Sequence, residues 1–540
     1  MLRKFFAVKP LLAFLAFLAL ALSWCLGTPL LSAADEPEQS IKAAAVVRGE
    51  FSGADHIWNF ANWQSTYTTP DYLEVAYRLP RSLVVALAEH NPACYAFRSD
   101  TTPACTDHAN KHRVAEAVAT GTALTHMNYS PLYYALVGWP TLFLPGDSAL
   151  YGMRIVSALI TAALLAIAFV TAARRGRAAA VGVVAAVTPA AIYFGAVVNP
   201  SGLEITSALL AWVSLISLTH ADPDDAAALR RDRILFTFSA ATLVLVRPLG
   251  PAWLAIIVAA VFAVGPNARE TLRRIVRGRG ARRMGAVLAV AVVATASWDA
   301  TQNTMGIVPH ANPTYTIAKG MHITLSQTPE FFSQMVGLIG WNDVHIPDAT
   351  ETLWYGIFVA LLLAGSVLGD RRERLVLLGM AALVVFFPVL FEGATGGSYG
   401  VGWQGRYTLP LAVGVPLLAA EVLGRRMQST SLLDVPRTLT TTVGGTLAVA
   451  YLCEVWWAWR RYAEGLGSAS TFVPWHAHWS PVITWPLMLG LAVIGCAGLL
   501  ALLISPSTYP NEPGRLDGLV PRLPSQAPEE SFIRNTGPSR

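Results

Sequence analysis

Apolar runs of about 15 to 24 residues, broken by short charged gaps, constrain this chain more than any other feature, because that length crosses a hydrocarbon core. They fall near 11–34, 150–172, 178–198, 202–219, 233–247, 251–265, 284–298, 352–369, 374–391, 406–423, 438–458 and 482–505. The pattern predicts an all-α integral membrane protein with about 12 transmembrane helices and a large first extracytoplasmic loop. Charged residues make up 14% of the chain, against roughly a quarter in soluble domains. The net charge of +5 sits mostly in short Arg-rich loops, which suits a cytoplasmic membrane face rather than nucleic acid.

Four segments follow from this reading. Residues 1–34 form a signal-anchor helix, 35–149 the extracytoplasmic loop, 150–505 a multi-helix membrane domain and 506–540 a disordered cytoplasmic tail with seven prolines. Ser32-Ala33-Ala34 offers a signal-peptide cleavage site, but the length of the run, with Trp24 and Pro29 inside it, favours a retained helix. Either outcome leaves the loop outside. Pro131–Leu144 is apolar enough to dip into the membrane.

Arginine placement sets the expected topology. A cytoplasmic N-terminus puts Arg174-Arg175-Gly176-Arg177, Arg230, Arg231, Arg233, the seven arginines of 269–283, Arg371-Arg372 and Arg425-Arg426 on one side. Only Arg460-Arg461 breaks this positive-inside pattern. The expectation is a bacterial cytoplasmic membrane protein with both termini cytoplasmic.

Candidate chemistry then lies on the outer face. Asp35-Glu36 follows the first helix directly, where a carboxylate can serve as a general base against a lipid-borne substrate; acids that only mark a helix exit are the alternative. Arg154, Arg247 and Arg406 fall at outer ends of apolar runs and call for an anionic partner, for which lipid phosphate fits guanidinium geometry. Snorkelling or an internal salt bridge competes with that reading. Polar residues beside Gly or Pro add Asn199 and Glu204, Trp341 and Asp343, and Gln404 with Tyr407 as substrate-binding candidates, each also readable as an anchor or turn. Cys94 and Cys105 lie in the polar loop, where an oxidising compartment favours a disulfide over two free thiols. No Walker loop, HExxH, paired CxxC or Rossmann fingerprint occurs. A sugar donor would therefore arrive attached to a lipid. A divalent metal at Asp35/Glu36 stays open, with no other residue pointing to one.

Several stretches resemble the bacterial membrane family catalogued as domain of unknown function 2142. They are Asp35-Glu36-Pro37, Ala43-Ala44-Ala45-Val46-Val47-Arg48-Gly49-Glu50, Pro131-Leu132-Tyr133-Tyr134-Ala135-Leu136-Val137-Gly138, Asn199-Pro200, Gly340-Trp341-Asn342-Asp343, Gln404-Gly405-Arg406-Tyr407-Thr408-Leu409-Pro410 and Arg460-Arg461-Tyr462. That family looks like a branch of the GT-C glycosyltransferases, which place an acidic motif after the first membrane helix and use polyprenyl-phosphate sugars. The resemblance implies a GT-C-like fold, Asp35 as the base and Glu36 beside it. Gln39 stands where the family often has His, which removes a proton carrier or ligand. The expected function is transfer of a sugar from a polyprenyl-phosphate donor to a cell-envelope glycan or lipid acceptor. A lipid-linked glycan transporter or flippase, and a scaffold binding envelope-assembly proteins, are the alternatives. No internal repeat supports the transporter.

Overall fold

A computed structural model describes residues 2–59, 71–106, 122–125, 128–265, 268–278, 280–302, 304, 316–429, 435–467 and 471–505. Among these, eight helices are long and apolar enough to cross a membrane: Lys9–Gly27, Gly146–Ala173, Pro200–His220, Ala281–Gln302, Asp348–Leu368, Arg371–Ser398, Gly405–Gln428 and Trp485–Ile504. A ninth is made by Arg177–Ala186 and Pro189–Ala196 if this pair, bent by 63°, counts as one span. The expected count of 12 is therefore reduced to eight or nine. Gly250–Val264 has only 15 residues, Ala226–Val246 carries Arg230, Arg231, Asp232 and Arg233 in its opening turns, and Arg437–Glu464 carries Glu454, Arg460 and Arg461. The proposed tail, 506–540, lies outside the described residues.

Helices are named in chain order: α1 (Leu2–Gly27), α2 (Glu36–Val46), α3 (Arg81–Glu89), α4 (Pro131–Gly138), α5 (Gly146–Ala173), α6 (Arg177–Ala186), α7 (Pro189–Ala196), α8 (Pro200–His220), α9 (Ala226–Val246), α10 (Gly250–Val264), α11 (Ala268–Arg277) and α12 (Ala281–Gln302). They continue as α13 (Ile317–Ser326), α14 (Thr328–Val336), α15 (Asp348–Leu368), α16 (Arg371–Tyr399), α17 (Gly405–Ala412), α18 (Gly414–Ser429), α19 (Arg437–Glu464) and α20 (Trp485–Ile504). The break between α6 and α7 has a local cause. Pro189 lacks the N–H that would continue the α6 ladder, while the Thr188 hydroxyl accepts from Ala191 N and starts a new helix.

The centre of the bundle is α8, whose apolar window is wholly buried. Its start is fixed by Asn199, whose side chain accepts from Ser201 N ahead of Pro200. Around it, α1 runs antiparallel to α20, with Gly495 and Gly498 against Leu20 and Ala16. Lipid gives helices no hydrophobic drive to associate, so such small residues let backbones approach and gain packing energy instead.

The two ends of the bundle differ sharply. One end gathers Arg175, Glu421, Arg425, Glu373, Arg426 and Asp370 into a linked ion-pair network, closed by an Asp370–Glu373 capping box on α16. The opposite end holds Asp35, Arg154, Arg247 and Arg406. Apart from Arg460-Arg461, the basic clusters and the candidate site thus lie at opposite ends of the same helices.

The loop between α1 and α5 is not purely helical. It contains an antiparallel sheet, β1 (Ala54–Asn59), β2 (Asp71–Arg78) and β3 (Thr122–Thr125), in the order β1-β2-β3, with Ala54 opposite Ala76 and Val75 opposite Thr125. This corrects the all-α expectation locally. Val75, Tyr77 and Leu79 are buried in alternation, a period-two pattern overlooked among the turn residues. Cys94 and Cys105 are disulfide-bonded, with Cα atoms 6.2 Å apart. Helix α2 docks on α4 through Ala43-Ala44-Ala45, and a Cβ at Gly138 would meet the Ala43 carbonyl oxygen at 2.1 Å. That close approach seats α2, and with it the acids at its start.

Candidate functional site

Asp35 occupies the left-handed region (φ 64°) as the residue before α2, a conformation that Asp and Asn tolerate better than most. The turn is pinned from several helices. Asn199 Nδ2 and Arg406 Nη1 each donate to the Ala34 carbonyl at 3.0 Å, and Ala34 N donates to Gly340 O at 3.0 Å. Arg406 Nη2 also donates to Asp35 Oδ2, in a short contact. The Asp35 side chain keeps 21% of its surface exposed, and its Oδ1 has no hydrogen-bond partner among the described residues.

Its neighbour is committed differently. Glu36 is 1% exposed and takes a bidentate pair from Arg154, Nε to Oε1 and Nη2 to Oε2, both at 2.6 Å. Val198 N donates to Oε1 at 3.1 Å and Ala33 N to Oε2 at 3.4 Å. The remaining Arg154 donors reach the carbonyls of Cys25, Thr28 and Pro29. Arg154 has no donor left for a phosphate, and Glu36 has no oxygen free for catalysis, so the pair locks α1, α2 and α5 together.

Arg247 and Arg406 remain at the site. Arg247, following α9, donates to Ser201 Oγ at 2.9 Å, to Tyr129 OH at 3.1 Å and to Glu204 Oε2 at 3.5 Å. Its guanidinium carbon lies 4.9 Å from the Tyr129 ring centre and 4.6 Å from that of Tyr407. Arg406 lies 5.1 Å from the same Tyr407 ring and 5.4 Å from Phe194, and its Nη2 donates to Tyr407 OH at 3.1 Å. Its Nε is buried without a hydrogen-bond partner among the described residues. Glu204 Oε1 accepts from Trp253 Nε1 at 3.1 Å, so this acid anchors Arg247. Burial pushes the Tyr129 hydroxyl up in pKa, against the opposing pull of Arg247.

The other expected residues build the rim. Asp343 Oδ2 accepts from Arg461 Nη2 at 2.5 Å and Oδ1 from Trp341 N at 3.0 Å, which leaves it no role as a free ligand. Burial raises its pKa and Arg461 opposes the rise. Arg461 also donates to the carbonyls of Tyr95, Arg98 and Thr101, which clasps the disulfide loop to α19. Trp341 Nε1 donates to Leu31 O at 3.3 Å, and its ring meets Phe97 edge-on. Gln404 starts α17, and the next residue, Gly405, donates its N–H to Gln334 at 2.6 Å. Tyr129, Phe194 and Trp253 were missed. Nothing in their local sequence marks them, since each acts only through an arginine or acid brought from another helix.

The arrangement can do two things at once. Two guanidiniums that share the Tyr407 ring, Arg406 paired with Asp35 and Arg247 with Glu204, offer donors to an anion, and Asp35 Oδ1 is open to take a proton. A divalent ion does not suit it. Both Glu36 oxygens are used, Arg406 holds one Asp35 oxygen, and no group of three His, Cys, Asp or Glu side chains among the described residues could hold a metal.

The profile of the family described as "Predicted membrane protein (DUF2142)" matches residues 17–415. Among curated proteins none matches the chain in sequence. Among solved structures, ArnT from Cupriavidus metallidurans is similar at 13% identity over 94% of this chain and 77% of that one. The TM-score is 0.40 for its undecaprenyl phosphate-bound form and 0.38 for its apo form.

Proposed function

The chain belongs to the DUF2142 family of membrane proteins, and from that premise and the site geometry we propose that it is a membrane glycosyltransferase using a polyprenyl-phosphate sugar. The carrying observation is the division of labour at Asp35, with Oδ2 held by Arg406 and Oδ1 without a hydrogen-bond partner among the described residues. In this reading the Asp35 end faces outward in a bacterial cytoplasmic membrane, with both termini cytoplasmic.

The donor phosphate lies against Arg406 and Arg247, where the unpartnered Arg406 Nε gains an acceptor. An acceptor hydroxyl on an envelope glycan or lipid attacks the anomeric carbon as the sugar–phosphate bond breaks, inverting that centre. Asp35 Oδ1 takes the hydroxyl proton, and the bonding pair leaves on the phosphate. The guanidiniums offset the charge that builds there, a fixed electrostatic contribution. A cavity of about 810 Å³ beside α17, lined by Phe332, Tyr355, Phe358, Leu362 and Leu409, is apolar and suits the polyprenyl chain. The same cavity favours a second reading, a lipid-linked glycan transporter, which needs no proton acceptor. A scaffold for envelope-assembly proteins would need neither feature.

The test is complementation of a deletion strain by Asp35→Asn, with envelope glycans read by mass spectrometry and membrane levels by blot. Loss of one glycan at normal protein level supports the transferase. Full restoration rejects Asp35 as base and turns the assignment to transport or scaffolding.

A further inference from the structure

At the arginine-rich end, away from Asp35, a second cavity of about 880 Å³ opens between α9, α11 and α12. Arg230, Arg233, Arg274 and Arg283 line it, and among the described residues no carboxylate does. Arg274 is fixed by donating to the carbonyls of Thr219 and Ala221 at the end of α8, and its Nε is buried without a partner among the described residues. Arg233 lies against the turn at Gly278 and Gly280, where a Cβ on Gly278 would come within 2.8 Å of its guanidinium. Below the arginines the wall becomes apolar and open, with Ile234 56%, Phe238 55% and Val287 46% exposed.

Neighbouring structure has the same two-part character. Helix α11 carries Arg269, Arg273, Arg274 and Arg277, and shows Leu272 and Val276 to the outside while burying Ile275. Such a helix suits the plane of a membrane interface. Helix α12 is only 11% buried along its span, so it borrows little packing from the bundle. A soluble anion would meet the arginines but leave the apolar wall uncovered. A phospholipid fills both.

We infer that this cavity is a binding site for an anionic phospholipid of the arginine-side leaflet. Its phosphate is held by Arg230, Arg233, Arg274 and Arg283, and its acyl chain lies along Ile234, Phe238 and Val287. The lipid bridges α12 to α9. Basic pockets between membrane helices are suited to anionic headgroups because the surface potential and the guanidinium contacts act together. The site is separate from the sugar-transfer proposal and stands whether or not that proposal holds.

The experiment titrates full-length protein in zwitterionic-lipid nanodiscs or mild detergent with phosphatidylglycerol, phosphatidylcholine or inorganic phosphate, and reads binding by native mass spectrometry and thermal shift. Phosphatidylglycerol is expected to bind and stabilise, and the other two are not. Arg230 and Arg283 are exposed, so R230Q/R283Q folds and weakens phosphatidylglycerol by roughly fivefold per arginine, about thirtyfold for the pair. Phe238→Ser weakens it through the chain contact alone. R371Q, an exposed arginine at the same end outside the cavity, changes it by less than about twofold. Equal binding of phosphatidylcholine, an equal effect of R371Q, or equal stabilisation by inorganic phosphate overturns the proposal, the last by reducing it to a soluble-anion site.

Discussion

Asp35 and Glu36 are adjacent acids with opposite fates, and substitution separates them. Glu36→Gln keeps the shape but removes the charge that Arg154 needs. Glu36 accepts two charge-assisted bonds at 2.6 Å, and both partners are 1% exposed. Glutamine can accept on one oxygen only, and its amide would face the Arg154 Nη2 donor. Breaking one partner of a buried pair costs about 3–5 kcal/mol, because a charge is left without compensation. With unfolding entropy of roughly 1 kcal/mol per kelvin for a cooperative unit of this size, that is a Tm lower by about 4 °C. Asp35→Asn has a smaller effect, about 1 kcal/mol, because asparagine tolerates the left-handed turn and still accepts from Arg406. The assay is thermal unfolding of detergent-purified protein for Glu36→Gln, Arg154→Met, their double and Asp35→Asn. A coupling of about 2–3 kcal/mol is expected between Glu36 and Arg154. Additive effects, or a Glu36→Gln protein as stable as wild type, would refute the lock.

Three further outcomes follow from particular contacts. Cys94→Ser/Cys105→Ser opens a loop whose ends are 11 residues apart and destabilises it by about 3 kcal/mol; limited proteolysis should then cut within 92–105, and unchanged resistance would count against this. Lys42 is buried against Phe51 O, Tyr77 OH and Asn128, and burial lowers its pKa to about 8 from the ordinary 10.5. Between those pH values the folded state sheds the proton that the unfolded chain keeps, so stability rises by up to about 3 kcal/mol from pH 8 to 10.5; the Tm difference between wild type and Lys42→Met should shift in that window, and a flat difference sinks the idea. Neither oxygen of the buried Glu454 has a hydrogen-bond partner among the described residues, so Glu454→Leu should stabilise by about 1–3 kcal/mol, and a lower Tm would contradict it.

The apolar runs made the membrane bundle legible because burial in lipid demands length and hydrophobicity, and both are written locally. Asp35 stands out for a similar local reason, as the first acid past the first helix. Each of the three outer arginines has a carboxylate partner, Glu36, Glu204 or Asp35, and those partners were not legible. Arg154 meets Glu36 at a sequence separation of 118 and Arg406 meets Asp35 at 371, so tertiary contact alone decided which arginine became structural. Asp343 read as a binding residue because it stands among polar residues beside a glycine, and its partner Arg461 was legible only as a topological exception. Its position follows from the Asp343 contact and the disulfide loop, not from any lipid face. Spans were overcounted where an apolar run hides a proline break, as at Pro189, or shares its helix with charges, as in α9 and α19.

The turn at 34–36 is held by residues that arrive far apart in time during synthesis. Arg154 and Asn199 leave the ribosome early, so the Glu36 clasp and the Ala34 contact to α8 can close on a half-made chain. Arg406 comes about two hundred residues later by the sequence, and until then Asp35 has an unanswered charge at the membrane edge. Chains stalled before α17 would therefore be well anchored at the N-terminus yet lack the cation that completes the pocket. Insertion of α17 is then the event that brings Arg406 to the turn at Ala34 and Asp35.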